Sequence, residues 1–118
     1  MTTKEIGDFG EDVACRYLEK KNIQIIKRNY HCRAGEIDII AKDGDCLVFC
    51  EVKTRSRRDY GNAGEFVDFR KQEKIIKTAL FYTMRDDLEM RFDVIEVYYR
   101  LSGDMPEVSE VNHIENAF

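Results

Sequence analysis

The stretch that most constrains this chain is Gly35-Glu36-Ile37-Asp38-Ile39-Ile40-Ala41, followed after Lys42-Asp43-Gly44-Asp45 by Cys46-Leu47-Val48-Phe49-Cys50-Glu51-Val52-Lys53. Two short apolar runs around an Asp-Gly turn predict a β-hairpin. The runs are apolar at nearly every position, so both faces of the hairpin are expected to be covered. Acids nevertheless stand at one end of this ribbon: Glu36 and Asp38 where the first strand begins, and Glu51 where the second finishes. Lys53 follows two residues later. Ionised groups beside a buried sheet are costly unless they are paired or hold a cation. Such a conflict between a local rule and its setting marks a functional site.

Strand geometry sharpens the reading. Side chains alternate, so Glu51 and Lys53 share one face and Val52 takes the other. A loop of two or four residues makes opposed positions sum to an odd number. Asp38 then faces Phe49 or Glu51 and lies on the Glu51/Lys53 side in either register. Opposed or diagonal neighbours sit roughly 4.5–8 Å apart, within reach of a shared metal ion. A three-residue loop would reverse the relation; Asp-Gly favours two.

Asp38, Glu51 and the Val52 carbonyl make a hard-oxygen set suited to Mg²⁺ or Mn²⁺. Such an ion lowers the pKa of bound water and neutralises charge on a phosphodiester. Lys53, on the same face, is placed to orient the attacking water or stabilise developing negative charge. Glu11 is a further ligand if the helix that carries it packs over the hairpin end. The plainer alternative is a set of salt bridges from Lys53 to Glu51 or Asp38, which leaves unexplained why three acids outnumber one Lys.

The N-terminal segment predicts a helix. Thr2-x-x-Glu5 fits a capping box, and Ile6, Phe9, Gly10, Val13, Ala14, Tyr17 and Leu18 keep helical spacing to about Lys21. Glu11 falls on the border of that apolar face, where a solvated carboxylate is the competing account. Asn22 ends the helix, and Ile23 to Tyr30 reads as a strand. After the hairpin, Thr54 to Gly64 reads as a polar, glycine-containing loop. Its basic run, with Arg55, Arg57 and Arg58, is placed to grip phosphates. A second helix is expected from about Phe66 to Met84, with Arg70, Lys71, Lys74 and Lys77 as a basic stripe. Gln72 stands beside the stripe, within reach of a ligand. Such stripes most often only keep a helix soluble. Arg91 to Tyr99 partly alternates and reads as a strand with one wetter face. Turns are expected at Asp86-Asp87 and across Ser102 to Pro106, while Val108 to Phe118 is left without a state.

The resulting order, α-β-β-β-α-β, predicts an α/β fold: one domain over residues 1–118, a mixed sheet flanked by helices. At 118 residues and 43% hydrophobic content the chain can bury a sizeable core. It shows no apolar leader and no membrane span, so a cytoplasmic protein with no membrane partner is expected. The four cysteines form no C-x-x-C pair and read as reduced structural thiols. Zinc at His31, Cys32 and His113 lacks ligand spacing. A net charge of −4 argues against nucleic acid only as an average. Residues 86–118 hold nine acids and two bases, a balance of −7, against fourteen and seventeen before them, a balance of +3. The first part can therefore present a positive face.

Several motifs together carry a family resemblance. Gly10-Glu11-Asp12-x-Ala14, Arg28-Asn29-Tyr30, Gly35 to Ile40, Val48-Phe49-x-Glu51-Val52-Lys53-Thr54-Arg55, Lys71-Gln72 and the ending Ile114 to Phe118 resemble the YraN-like family of uncharacterised bacterial proteins. Asp38 with Glu51-x-Lys53 is similar to the PD-(D/E)xK nuclease superfamily, in its Holliday-junction-resolvase-like branch. Ile37 departs from the proline of the motif's name. The resemblance covers essentially the whole chain. It implies the restriction-endonuclease-like core, a divalent-metal site at Asp38, Glu51 and Lys53 with Glu11 as accessory acid, and, since the superfamily's resolvases are dimers that cut branched DNA, a homodimer. Arg28 and Arg33 stand as alternatives for phosphate contact, and the role of Glu36 is open.

Two readings follow. One is a metal-dependent endonuclease cutting DNA, which is expected ahead of RNA. Asp38, Glu51, Val52 and Glu11 would hold Mg²⁺ or Mn²⁺, with Arg55, Arg57, Arg58, Lys71, Gln72 and Lys74 on the nucleic acid. The other is a non-catalytic nucleic-acid- or protein-binding module on the same fold. The acidic net charge also suits a nuclease that needs a protein partner.

Overall fold

The computed structural model describes residues 1–56 and 67–118. Helix α1 (Thr3–Lys20) opens on the expected capping box: Thr2 accepts from the Glu5 N–H, and the Glu5 carboxylate accepts from the Thr2 N–H. It closes before Asn22, whose φ of 63° turns the chain. Strands β1 (Gln24–Cys32), β2 (Gly35–Asp43) and β3 (Cys46–Ser56) follow, then α2 (Phe69–Thr83), β4 (Met90–Ser102) and β5 (Met105–Ile114). The five strands form one sheet in the order β1-β2-β3-β4-β5. Only β3 and β4, joined through α2, run parallel; the other pairs are antiparallel. The architecture is α/β, a mixed sheet between two helices, as in a restriction-endonuclease-like core.

Both faces are covered, as the unbroken apolar runs require. On one side Val13, Ala14 and Leu18 of α1 pack on Ile39, Ala41, Val48, Cys50, Ile95 and Val97. On the other, Ile75 and Ala79 of α2 pack on Ile37, Ile40, Phe49 and Val94. Fully burying an aliphatic or aromatic side chain of this size contributes about 1.5–3 kcal/mol. Gly10 lets α1 come down on β3, because a Cβ there would collide with the side chain of Thr54. Among the described residues no helix is long and apolar enough to cross a membrane. Cys15 and Cys50 are buried, and all four cysteines are free.

The expected boundaries need four corrections. The first strand runs to Cys32, not Tyr30, because Cys32 still pairs with Gly35 across an Arg33-Ala34 turn. β3 does not end at Lys53: its parallel pairing continues to Ser56 opposite Tyr99, so Thr54 to Ser56 have strand partners. Helix α2 starts at Phe69, since Asp68 caps it by accepting from the Lys71 N–H at 2.9 Å. The expected turn through Pro106 shrinks to Gly103-Asp104, and Met105 onward is a fifth strand. Pro106 is tolerated there because β5 is an edge strand and need not donate on its open side.

Candidate active site

The hairpin has the short loop that the site requires. Asp43 pairs with Cys46 around Gly44-Asp45, and Gly44 alone takes positive φ, at 60°. Every β2–β3 pair then sums to the same odd number, which places Asp38 opposite Glu51. The ladder itself stops one step earlier, at Ile39 and Cys50. Beyond it β2 stays with β1, through Ile37–Tyr30 and Glu36–His31, while β3 stays with β4. The sheet forks there. Inside the fork the Val52 N–H donates to Asp38 Oδ2 at 2.8 Å, a side chain taking the place of a backbone acceptor. Ile37 and Ile40 both reach the α2 side although three residues apart, so the strand's alternation slips beside Asp38.

Glu51 points to the α2 face, since its neighbours Cys50 and Val52 pack toward α1. Its side chain is only 8% exposed, and Lys71 Nζ of α2 lies 3.2 Å from Oε1. Glu11 approaches from the α1 side, set by the close contact of Gly10 with Thr54. Its Oε1 is buried without a hydrogen bond among the described residues, with Arg28 Nη2 at 3.8 Å. Asp38 thus stands between the other two acids, with Glu11 feeling its charge from the α1 side and Glu51 from the α2 side.

The electrostatics follow from that arrangement. Burial pushes the Asp38 carboxyl up, with the Val52 N–H, Lys71 and Lys53 opposing and Glu36 adding to the rise. Burial and then the Asp38 charge raise Glu51, against Lys71 and Lys53. Burial and Asp38 also raise Glu11, against Arg28. Lys71 loses solvent but gains more from Glu51 and Asp38, so its ammonium is held above the ordinary range. Negative charge here is under-compensated, which is the condition for accepting a cation or a proton.

Whether these donors fit a divalent ion can be judged from their chemistry. Asp38, Glu51, the Val52 carbonyl and the orphaned Glu11 oxygen are all hard donors. Among the described residues no three His, Cys, Asp or Glu side chains stand close enough to share one ion. Two carboxylates and a backbone carbonyl leave positions for water and substrate, the way Mg²⁺ is usually held. The set fits.

The phosphate-binding expectations divide. Arg55 is 8% exposed, on a strand and not a loop, with Nη1 3.5 Å from Glu96. Arg57 and Arg58 lie outside the described residues. Lys71 is engaged with Glu51, and Gln72 Nε2 donates to the Val67 carbonyl at 2.9 Å. Lys71 and Lys74 line a groove of about 370 Å³ with His31, Gly35, Glu36 and Ile75. Of the two alternative arginines, Arg28 is engaged with Asp12 at 2.8 Å, whereas Arg33 lies over the Phe81 ring. Glu36 is exposed and pairs with His31 at 3.3 Å. The salt bridge to Glu51 comes from Lys71, not from Lys53 as the plainer alternative had it. Sequence spacing held no signal for that contact, because Lys71 arrives from a separate element.

Comparison with known proteins agrees with the motifs. Residues 10–97, which span Glu11, Asp38, Glu51, Lys53 and Lys71, match the model of uncharacterised protein family UPF0102. A UPF0102 protein of Clostridioides difficile is 46% identical over 100% of both chains. One from Caldanaerobacter subterraneus subsp. tengcongensis is 44% identical over 100% of this chain and 98% of its own. A third, from Clostridium tetani, is 49% identical over 86% of this chain and 85% of its own. The YraN-like motifs and these full-length matches agree: the chain belongs to the UPF0102 family.

Proposed function

We propose that the protein is a divalent-metal-dependent endonuclease that hydrolyses phosphodiester bonds in DNA. The observation that carries this reading is the fork. The sheet opens where two buried carboxylates, Asp38 and Glu51, have raised pKa values and feel each other's charge, and a third acid has an orphaned oxygen. A purely structural ion pair would be expected to match charges, and here acids are in excess.

Asp38, Glu51 and the Val52 carbonyl would hold Mg²⁺ or Mn²⁺, and Glu11, on the α1 side, would act through an intervening water. The ion, when bound, activates water and offsets charge on the phosphodiester. Lys53 continues the β3 face that bears Glu51 and is placed to orient the attacking water and stabilise the charge that develops on phosphate oxygens. Lys71 and Lys74 supply positive charge along the adjoining groove, where the strand's backbone would lie. Binding through such contacts falls steeply with salt.

A second reading, a non-catalytic nucleic-acid- or protein-binding module, draws on one observation: Lys71 already occupies Glu51. Cleavage separates the two. End-labelled linear duplex, single strand, flap and four-way junction are incubated with Mg²⁺, Mn²⁺ or EDTA, beside a Glu51→Ala, Lys53→Ala double variant. Metal-dependent cutting that the variant loses is expected. No cutting by a folded protein that binds DNA as well as its variant would favour the binding module.

A further inference from the structure

Lys71 is an odd residue for its place. It lies in the first turn of α2, its N–H donating to the Asp68 cap. A helix N-terminus disfavours a cation, and apart from the Asp68 cap, whose carboxylate is held by the Lys71 N–H, this first turn holds no acid to offset it. The compensation comes from outside the helix: Glu51 Oε1 at 3.2 Å, from a strand beneath. The Lys71 side chain is 43% exposed while that of Glu51 is 8% exposed, so the stem lies at the surface and the ammonium reaches inward.

The same side chain also lines the groove with His31, Glu36 and Lys74. A point charge on a flexible four-carbon stem therefore has two seats, one on Glu51 and one in the groove. A divalent ion in the fork needs the Glu51 oxygens and places two positive charges beside the ammonium. At such separations like charges repel strongly, the more so with little water between them.

We propose that Lys71 is a resident stand-in for the metal: its ammonium occupies Glu51 until a divalent cation displaces it into the groove beside Lys74, where it binds a backbone phosphate of the nucleic acid. The inference rests on the metal reading of the fork. It couples two binding events through one side chain. Metal releases the phosphate-binding charge, and bound phosphate holds that charge away from Glu51. By linkage each ligand raises the affinity for the other by the same factor.

The test is calorimetric titration of Mn²⁺ into wild type, Lys71→Met, Lys20→Met (an exposed lysine on α1) and Asp38→Asn, with folding checked by circular dichroism. Lys71→Met is expected to bind Mn²⁺ about tenfold more tightly than wild type, the effect of removing a competing ion pair. Lys20→Met keeps wild-type affinity, and Asp38→Asn loses most of it. A short phosphorothioate duplex is then titrated with and without Mn²⁺. The metal tightens duplex binding to wild type several-fold and leaves Lys71→Met unmoved. Mn²⁺ binding by wild type with equal or weaker binding by Lys71→Met would overturn the stand-in role alone. Undiminished metal–duplex coupling in Lys71→Met would do the same. No Mn²⁺ binding by either protein would overturn the metal reading beneath it.

Discussion

Two buried carboxylate regions of this molecule look alike in composition and differ in what surrounds them. Asp93 on β4 is completely buried, yet it accepts from His113 Nε2 at 2.8 Å, the Asn116 N–H at 3.1 Å and Arg91 Nε at 3.1 Å. Arg91 extends the network to Asp43 at 2.8 Å. Lys21 Nζ lies 3.2 Å from His113 Nδ1. An ammonium only donates, so Nδ1 accepts and the Nε2 proton faces Asp93. Burial alone would raise the Asp93 pKa, but the His113, Asn116 and Arg91 hydrogen bonds outweigh it and hold the carboxyl below the usual range. In the fork the same burial is only partly compensated, and Asp38, Glu51 and Glu11 are all pushed up. Burial of an acid therefore does not mark a site; burial without enough partners does. Asp93 ties β4 to the end of β5 and the residues after it, while the fork leaves its acids short of partners.

Breaking the satisfied region is expected to have the largest effect. Asp93→Ala leaves the buried His113 without its acceptor and Arg91 with only Asp43, and should cost about 3–5 kcal/mol. Urea unfolding measures it, and a loss below 1 kcal/mol would show that the network is not structural. Next comes the helix seat. Gly10→Ala forces a methyl group into Thr54 and should cost about 1–3 kcal/mol while lifting Glu11 from the fork. Thermal unfolding reads the first effect. A weakened metal affinity, compared with a distant α1 substitution of equal cost, reads the second.

Relieving the unsatisfied region should do the opposite. In EDTA at neutral pH, Asp38→Asn is expected to stabilise the protein by about 0.5–2 kcal/mol, the usual trade between a strained site and stability. Divalent metal should then raise the melting temperature of wild type but not of the variant. The pH dependence has a definite sign. With its folded pKa raised, Asp38 contributes most below the ordinary carboxylate pKa of about 4, and that contribution is lost as pH rises through the folded value. The advantage of Asp38→Asn should vanish in acid and grow toward neutrality. Asp93 runs the other way: its contribution holds above about pH 4 and is lost as pH falls through the depressed value. If both substitutions gave the same slope with pH, the contrast would collapse. The smallest effect is expected at Glu36→Gln. This exposed partner of His31 should alter stability by less than about 0.5 kcal/mol.

Much of the site was legible before the fold. Alternation and the Asp-Gly turn placed Asp38 opposite Phe49 or Glu51, on the Glu51/Lys53 side in either register, because both rules are local and the period of a strand is two. Lys71 entered the reading as part of a basic stripe, of the Lys71-Gln72 motif and of the nucleic-acid contacts, but not as the partner of Glu51, since nothing in a helix's own sequence says which acid it will meet. Arg55 was read as a loop residue because Thr54 to Ser56 become strand only by pairing with β4. β5 escaped for a similar reason: Pro106 and Gly103-Asp104 look like turn chemistry, and an edge strand tolerates a residue that cannot donate.

By itself, the sequence determined the hairpin, the covered apolar runs, the helix capped at Thr2 and the excess of acids at one end of the ribbon. These depend on neighbours a few residues apart, where periodicity and turn chemistry act directly. Only the tertiary structure decided that the sheet forks at Asp38, that Glu11 presses in beside Gly10, that Lys71 reaches Glu51, and that Asp93 is satisfied while Asp38 is not. Those outcomes depend on which distant groups share a desolvated space. A carboxylate's charge balance is set by everything within a few ångströms, wherever it lies in the chain.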